Sequence, residues 1–196
     1  MPEGMKPVYV PNFRYLYSML GPKPGADRSL KMLPSVADMP GDGWRLLDQR
    51  TFRTGRMGRA TEYGNRARKL RSVTSMRSFE QVGHSRWLWA EVIPLANEED
   101  AAVASDDSLL VVRNPGVTVT NEHPVTGVSV PGSSSVWAYE QESTGPVGNG
   151  VSLCLRGTAG SIIFVVMASG FAESWRWDDV VSIASLIVAR ISEPPD

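Results

Sequence analysis

The sequence predicts an α+β domain, with an antiparallel β-sheet of about six to seven strands covered by two main helices. Three observations carry this. Apolar residues recur with period two from Trp44 onward, as half-buried strands require. Two segments, 98–110 and 177–191, carry helix-start and charge signals instead. Short Gly- and Pro-rich stretches separate the strands at hairpin-like intervals. Since an antiparallel sheet must bury at least one face, the two helices are its natural cover.

Taken in order, residues 1–32 read as a Pro-rich arm and residues 33–196 as a single α+β domain. Prolines 2, 7, 11, 22, 24 and 34 punctuate the beginning. Within the arm, Asn12 can cap a short helix over 13–20, whose stripe of Phe13, Leu16, Tyr17 and Leu20 has i, i+3, i+4, i+7 spacing. Gly21 and Pro22 end it. A helix this short is not stable alone in water, so its apolar side must dock, either on its own domain or in a partner's groove. After the Gly-Asp-Gly turn at 41–43, residues 44–54 form the first strand, and 55–70 are polar and Gly-punctuated, hence a loop. Strands over 72–82 and 86–95 make a hairpin around Gly83-His84-Ser85. Asn97 starts the first long helix, with Glu98, Glu99 and Asp100 at its positive dipole end; it runs to about Leu110, before Asn114-Pro115-Gly116. Strands follow over 117–121, 134–142, 151–156 and 161–168, the last two joined by a four-residue loop at Gly157–Gly160. The closing helix, 177–191, has Asp178 and Asp179 early and Arg190 late, matching the macrodipole at both ends.

The 196 residues are 42% apolar and 21% charged, with net charge −1, which suits one globular domain and excludes a disordered or collagen-like chain. One cysteine, Cys154, excludes an intramolecular disulfide. The longest apolar run, Ser161–Ala172, is too short to span a bilayer and is broken by Gly170. Prolines occupy the positions where a signal peptide would keep an apolar helix, so the chain is expected to stay in the cytoplasm.

Net charge conceals a polarity. Residues 45–86 carry ten Arg and one Lys against three acids, whereas 87–196 carry four Arg against fourteen acids. One consequence is self-neutralisation across paired strands. The other is an anionic partner, met by the basic residues of the predicted loop and its end: Arg56, Arg59, Arg66, Arg68, Lys69 and Arg71. A protein partner or an anionic membrane surface would fit. Nucleic acid is not expected, because no helix-turn-helix, zinc-finger or RNP-like reading element is present.

The segment beginning LPSVADMPGDGWRLLDQRTF, the helix entry N-E-E-D-A, the late β-hairpin and the closing WDDVVSIASLIVARI together resemble small actinobacterial domains of the Mog1/PsbP-like type. That group includes LpqN-like lipoproteins and the extracellular sensor domains of serine/threonine kinases. The resemblance covers about residues 33–191 and rests on element order. It implies a non-enzymatic accessory role with a protein partner, linked to cell-envelope or membrane machinery. The chain departs from the lipoprotein members in having no signal peptide or lipid-attachment cysteine.

Catalytic patterns are weak. His84 and His123 lie on separate turns, no metal-ligand spacing occurs, and neither a cofactor nor a metal is expected. Gly148-Asn149-Gly150 begins like a dinucleotide loop but is followed by Leu153 and a strand, without the helix that receives a pyrophosphate. Cys154 alternates onto one strand face with Arg156, which would lower its pKa if close; burial is the default for such a thiol. The aromatic pattern is more unusual. Trp87 and Trp89, and Trp137 and Tyr139, each place two rings on one strand face. If the strands are neighbours, four rings line one surface; the alternative is that they form core under a helix. Trp175 and Trp177 read as a docking staple for the last helix. The function expected is therefore a non-enzymatic module binding a protein partner. The alternative is a small-molecule or lipid-binding domain built on the Trp/Tyr surface.

Overall fold

A computed structural model describes residues 26–53, 73–105, 118–145, 148–171 and 173–193. The arm residues Phe13, Leu16, Tyr17 and Leu20 and the basic residues Arg56, Arg59, Arg66, Arg68, Lys69 and Arg71 lie outside them, as does the predicted helix over 13–20. Seven strands form one antiparallel sheet: β1 (Trp44–Arg53), β2 (Val73–Gln81), β3 (Arg86–Pro94), β4 (Thr118–Pro124), β5 (Ser135–Gly145), β6 (Gly148–Ala159) and β7 (Ile162–Phe171). Their spatial order is β1-β2-β3-β7-β6-β5-β4, two meanders joined where β3 pairs with β7. Three helices complete the described fold: α1 (Ala26–Met32), α2 (Glu98–Ser105) and α3 (Trp177–Ser192), with a 3-10 turn at Val36–Asp38.

The closing helix seals one face of the sheet. Val180, Ile183, Ala184, Ile187 and Val188 recur with helical spacing and are buried against Leu88, Val92, Leu155, Phe164 and Val166. Fully burying a side chain such as Ile183 or Ile187 contributes roughly 1.5–3 kcal/mol. Arg176 is the extended residue before the helix, and its N–H reaches the Asp179 carboxylate at 3.4 Å. At one end of this face Trp44 and Trp175 pack with ring centres 5.6 Å apart, each indole N–H held by a backbone carbonyl, Pro40 O and Ser169 O respectively. The Arg86 guanidinium lies 4.0 Å over Trp175 and 3.6 Å from Asp179, tying the basic segment of the chain to the acidic one. Trp175 thus anchors the helix entry.

Helix α2 lies on the opposite face, where Ala101 joins Ile93, Leu95, Ile163 and Val165. Its start follows the sequence: the Asn97 side chain accepts the Asp100 N–H at 2.8 Å. Beyond Ser105 the predicted continuation to Leu110 lies outside the described residues. The two predicted covering helices therefore take one face each.

Three details differ from the sequence expectations. Helix α1 is present although its sequence, ADRSLKM, carries no apolar stripe of any length. It is held by tertiary contacts: Met32 and Leu33 enter the core, and the buried Ser29 hydroxyl bonds Ser75 at 2.5 Å. The loop between β6 and β7 is two residues rather than four, since Thr158 pairs with Ile163 and Ala159 with Ile162, leaving Gly160 at φ +53° in the turn. Gly157, expected in that loop, sits in the strand beneath Phe164. A Cβ there would lie 2.4 Å from Phe164 Cζ and 2.6 Å from Ser135 O. Both edge strands are irregular, with register shifts at Leu46/Asp48 in β1 and Val119/Asn121 in β4, a recurrent protection against edge-to-edge pairing.

Candidate functional site

Strand alternation divides the central residues between the faces. On the α3 side stand Leu88, Ala90, Val92, Leu155, Phe164 and Val166, all apolar. On the α2 side the register builds two transverse rows. One runs Trp89–Met167–Cys154–Tyr139 across β3, β7, β6 and β5. The next runs Glu91–Val165–Arg156–Trp137 across the same strands.

All four predicted aromatics, Trp87, Trp89, Trp137 and Tyr139, are thus on one face, but the strands carrying them are not neighbours. β7 and β6 intervene, and three strand spacings put the pairs about 14 Å apart. The single four-ring surface expected from adjacency does not form. The reason is topological: the chain closes the sheet by pairing β3 with the last strand, a crossover that local alternation does not reveal. Each pair has its own setting. Trp87 and Trp89 are half-buried. In the other pair, Tyr139 is buried and Trp137 remains 39% exposed, with ring centres 4.7 Å apart at 50°.

Arg156, only 5% exposed, completes this second pair: its guanidinium lies 4.8 Å over the Trp137 ring. Tyr139, in turn, is hydrogen-bonded to Cys154 on the adjoining strand, and burial pushes its phenol well above the usual range. Trp137 is consequently a solvent-facing ring held from two sides.

Cys154 does not resemble a nucleophile. Burial pushes its thiol up to about 11, and the opposing influences of Tyr139 and Arg156 do not offset it. His123 is paired with Glu140, which alternation puts on the other face, and His84 is in the β2–β3 turn. Neither imidazole is positioned as its base.

Sequence reasoning missed Glu91. It is 1% exposed, its Oε1 has no hydrogen-bond partner among the described residues, and burial raises its pKa to about 8. Its strand neighbours across the sheet are Met76 and Val165. The signal was available: in RWLWAEVIP, period two puts the acid on the face of Trp87 and Trp89. Along the basic segment, the described arginines are mostly internally engaged. Arg45 pairs with Glu80 and Arg50 with Asp48.

No protein-family model matches this chain, and no curated protein matches it in sequence. In structure it is similar to the extracellular domain of PknH from Mycobacterium tuberculosis, with TM-score 0.57 and 14% identity over 85% of this chain and 95% of that one. A further match is to an uncharacterised protein from Mycobacterium smegmatis, with TM-score 0.47 and 9% identity over 87% of this chain and 99% of that one. The first similarity agrees, at the level of fold, with the kinase-sensor side of the sequence resemblance. The Mog1/PsbP side gains no support from it. The cytoplasmic expectation is corrected by the same match, because the PknH domain that shares this fold is extracellular. Composition and proline placement near residue 1 carry no information on the compartment in which such a fold works.

Proposed function

We propose that the chain is a non-catalytic recognition domain that engages a polypeptide partner through the α2-side face of its sheet, with Trp137 at the point of contact. The observation that carries this reading is the state of Trp137: a large ring 39% exposed, steadied by Tyr139 at 4.7 Å and by the nearly buried Arg156 guanidinium at 4.8 Å. Trp, Tyr and Arg are the residue types that dominate binding energy at protein interfaces. A ring already fixed by its neighbours loses little side-chain freedom on binding. The same fold in the extracellular domain of PknH supports a setting outside the membrane.

A photo-crosslinking residue at position 137, with a control at the exposed Val82 in the β2–β3 turn, tests the proposal in the source organism. A polypeptide captured from position 137 and not from position 82 is expected. The purified partner should then bind Trp137→Ala about 30-fold or more weakly, the effect of losing a central aromatic anchor. Equal capture from both positions, or unchanged affinity of the variant, overturns the reading.

A further inference from the structure

On the other side of the sheet, α1, the 3-10 turn, β2 and the end of α3 border an open surface hollow of 440 Å³ lined by Leu30, Lys31, Leu33, Ser35, Arg77 and Arg190. Two guanidinium groups converge here on one carbonyl: Arg77 Nη1 donates to Leu33 O at 3.2 Å and to Pro34 O at 3.0 Å, while Arg190 Nη1 donates to Leu33 O at 2.8 Å. Asp38 faces them alone among the described acids. It accepts from Arg190 Nη2 at 3.0 and 3.1 Å, and from the Ser35 N–H and hydroxyl at 2.6 and 2.8 Å. Arg77 Nε is taken by Gln49 at 2.8 Å. Burial and then repulsion from Arg190 depress the Arg77 pKa, and Asp38 offsets this only partly. The two guanidinium groups thus share a corner of the hollow, which Lys31 also lines, with one carboxylate whose acceptor positions are largely filled.

We propose that this hollow binds a phosphate group between Arg77 and Arg190, with the partly buried Leu30 at its apolar edge. The two guanidinium charges against the Asp38 carboxylate leave one positive charge in excess, which a phosphate oxyanion offsets, and its oxygens suit planar guanidinium donors at the wall of the hollow. The same chemistry is offered by a soluble phosphate and by a phospholipid headgroup.

The test uses the full chain and follows the arginine side-chain Nε–H resonances by NMR while inorganic phosphate is added, with chloride at matched ionic strength as the control. Saturable perturbation of Arg77 and Arg190 by phosphate and not by chloride is expected, with a Tm increase of about 2–4 °C near saturation. Arg77→Gln should weaken phosphate about 10- to 100-fold, the loss of a charge-assisted bond. Should that variant fail to fold, the wild-type resonances decide the matter. Phosphatidylcholine vesicles with and without phosphatidic acid separate the two sources: perturbation only by the acidic vesicles assigns a headgroup, and perturbation by free phosphate assigns a soluble ligand. Absence of a response to both, or an equal response to chloride, overturns the proposal.

Discussion

The two faces of the sheet are made by the same strands and have opposite characters. Under α3, the alternate residues of β3, β6 and β7 are aliphatic or aromatic, and the helix returns five buried side chains to meet them. Under α2, the other alternate residues of those strands include Trp89, Glu91, Cys154 and Arg156, and the described helix places one fully buried side chain, Ala101, among them. One face is spent on stability. The other carries polar and charged groups that cost free energy to bury, which a domain keeps where they serve recognition or specificity. The difference teaches that partner contacts by residues of the sheet itself are to be sought on the face its best helix does not cover.

The largest effect expected is on the sealed face. Phe164 is fully buried there, so Phe164→Ala should cost about 3–5 kcal/mol of unfolding free energy in a denaturant titration. A loss under about 1 kcal/mol would show that this face is not the structural one.

Next comes Glu91 on the other face. Its pKa is raised by burial to about 8 from an ordinary 4.5, so the folded state holds the proton more tightly than the unfolded chain does. The neutral form's stability is fully present below about pH 4.5 and is lost as pH rises through the folded pKa near 8. Glu91→Gln cannot ionise and should therefore be more stable than wild type by about 3 kcal/mol at pH 7, at ~1.36 kcal/mol per pKa unit, with the gain vanishing near pH 4. Urea unfolding of both proteins at pH 4, 7 and 9 checks this. A gain that does not change with pH would mean that Glu91 is already paired when folded.

Gly157→Ala should fall between these and the surface changes. The added methyl would press on Phe164 and on the Ser135 carbonyl, costing about 1–3 kcal/mol, and the backbone contact limits how far the ring can yield. Pairing Gly157→Ala with Phe164→Leu separates the two contributions: partial recovery in the double variant assigns the strain to the ring, and its absence assigns it to the carbonyl.

Much of this architecture was legible in local pattern. The strands at 44–54, 72–82 and 86–95 and the helix at 177–191 follow from alternation and end-charge signals, and the observed elements begin and end within a few residues of them. What was not legible was non-local. α1 has no stripe of its own and forms because Ser29, Met32 and Leu33 find partners on distant elements. The four aromatics share a face as their parity required, but only the strand order separates the two pairs. Arg156 was visible as a neighbour of Cys154 by alternation, yet its place over Trp137 depends on the β5–β6 register, which no single segment encodes.

The smallest stability effect is expected at the residue with the largest functional role. Trp137 leaves more than a third of its surface in solvent, beside the buried Tyr139 and Arg156. Trp137→Ala should change unfolding free energy by about 1–2 kcal/mol. The substitution removes one tilted ring pair and one cation–π interaction, each worth roughly 0.5–1.5 kcal/mol and here partly solvated. Substitution of Trp89, on the same face but half-buried with its indole nitrogen enclosed, should cost more. Comparing the two variants by thermal unfolding separates an exposed ring from an enclosed one on that face. If Trp137→Ala proves as damaging as Trp89→Ala, the exposed ring belongs to the structural core after all, and the α2-side face loses its candidate contact.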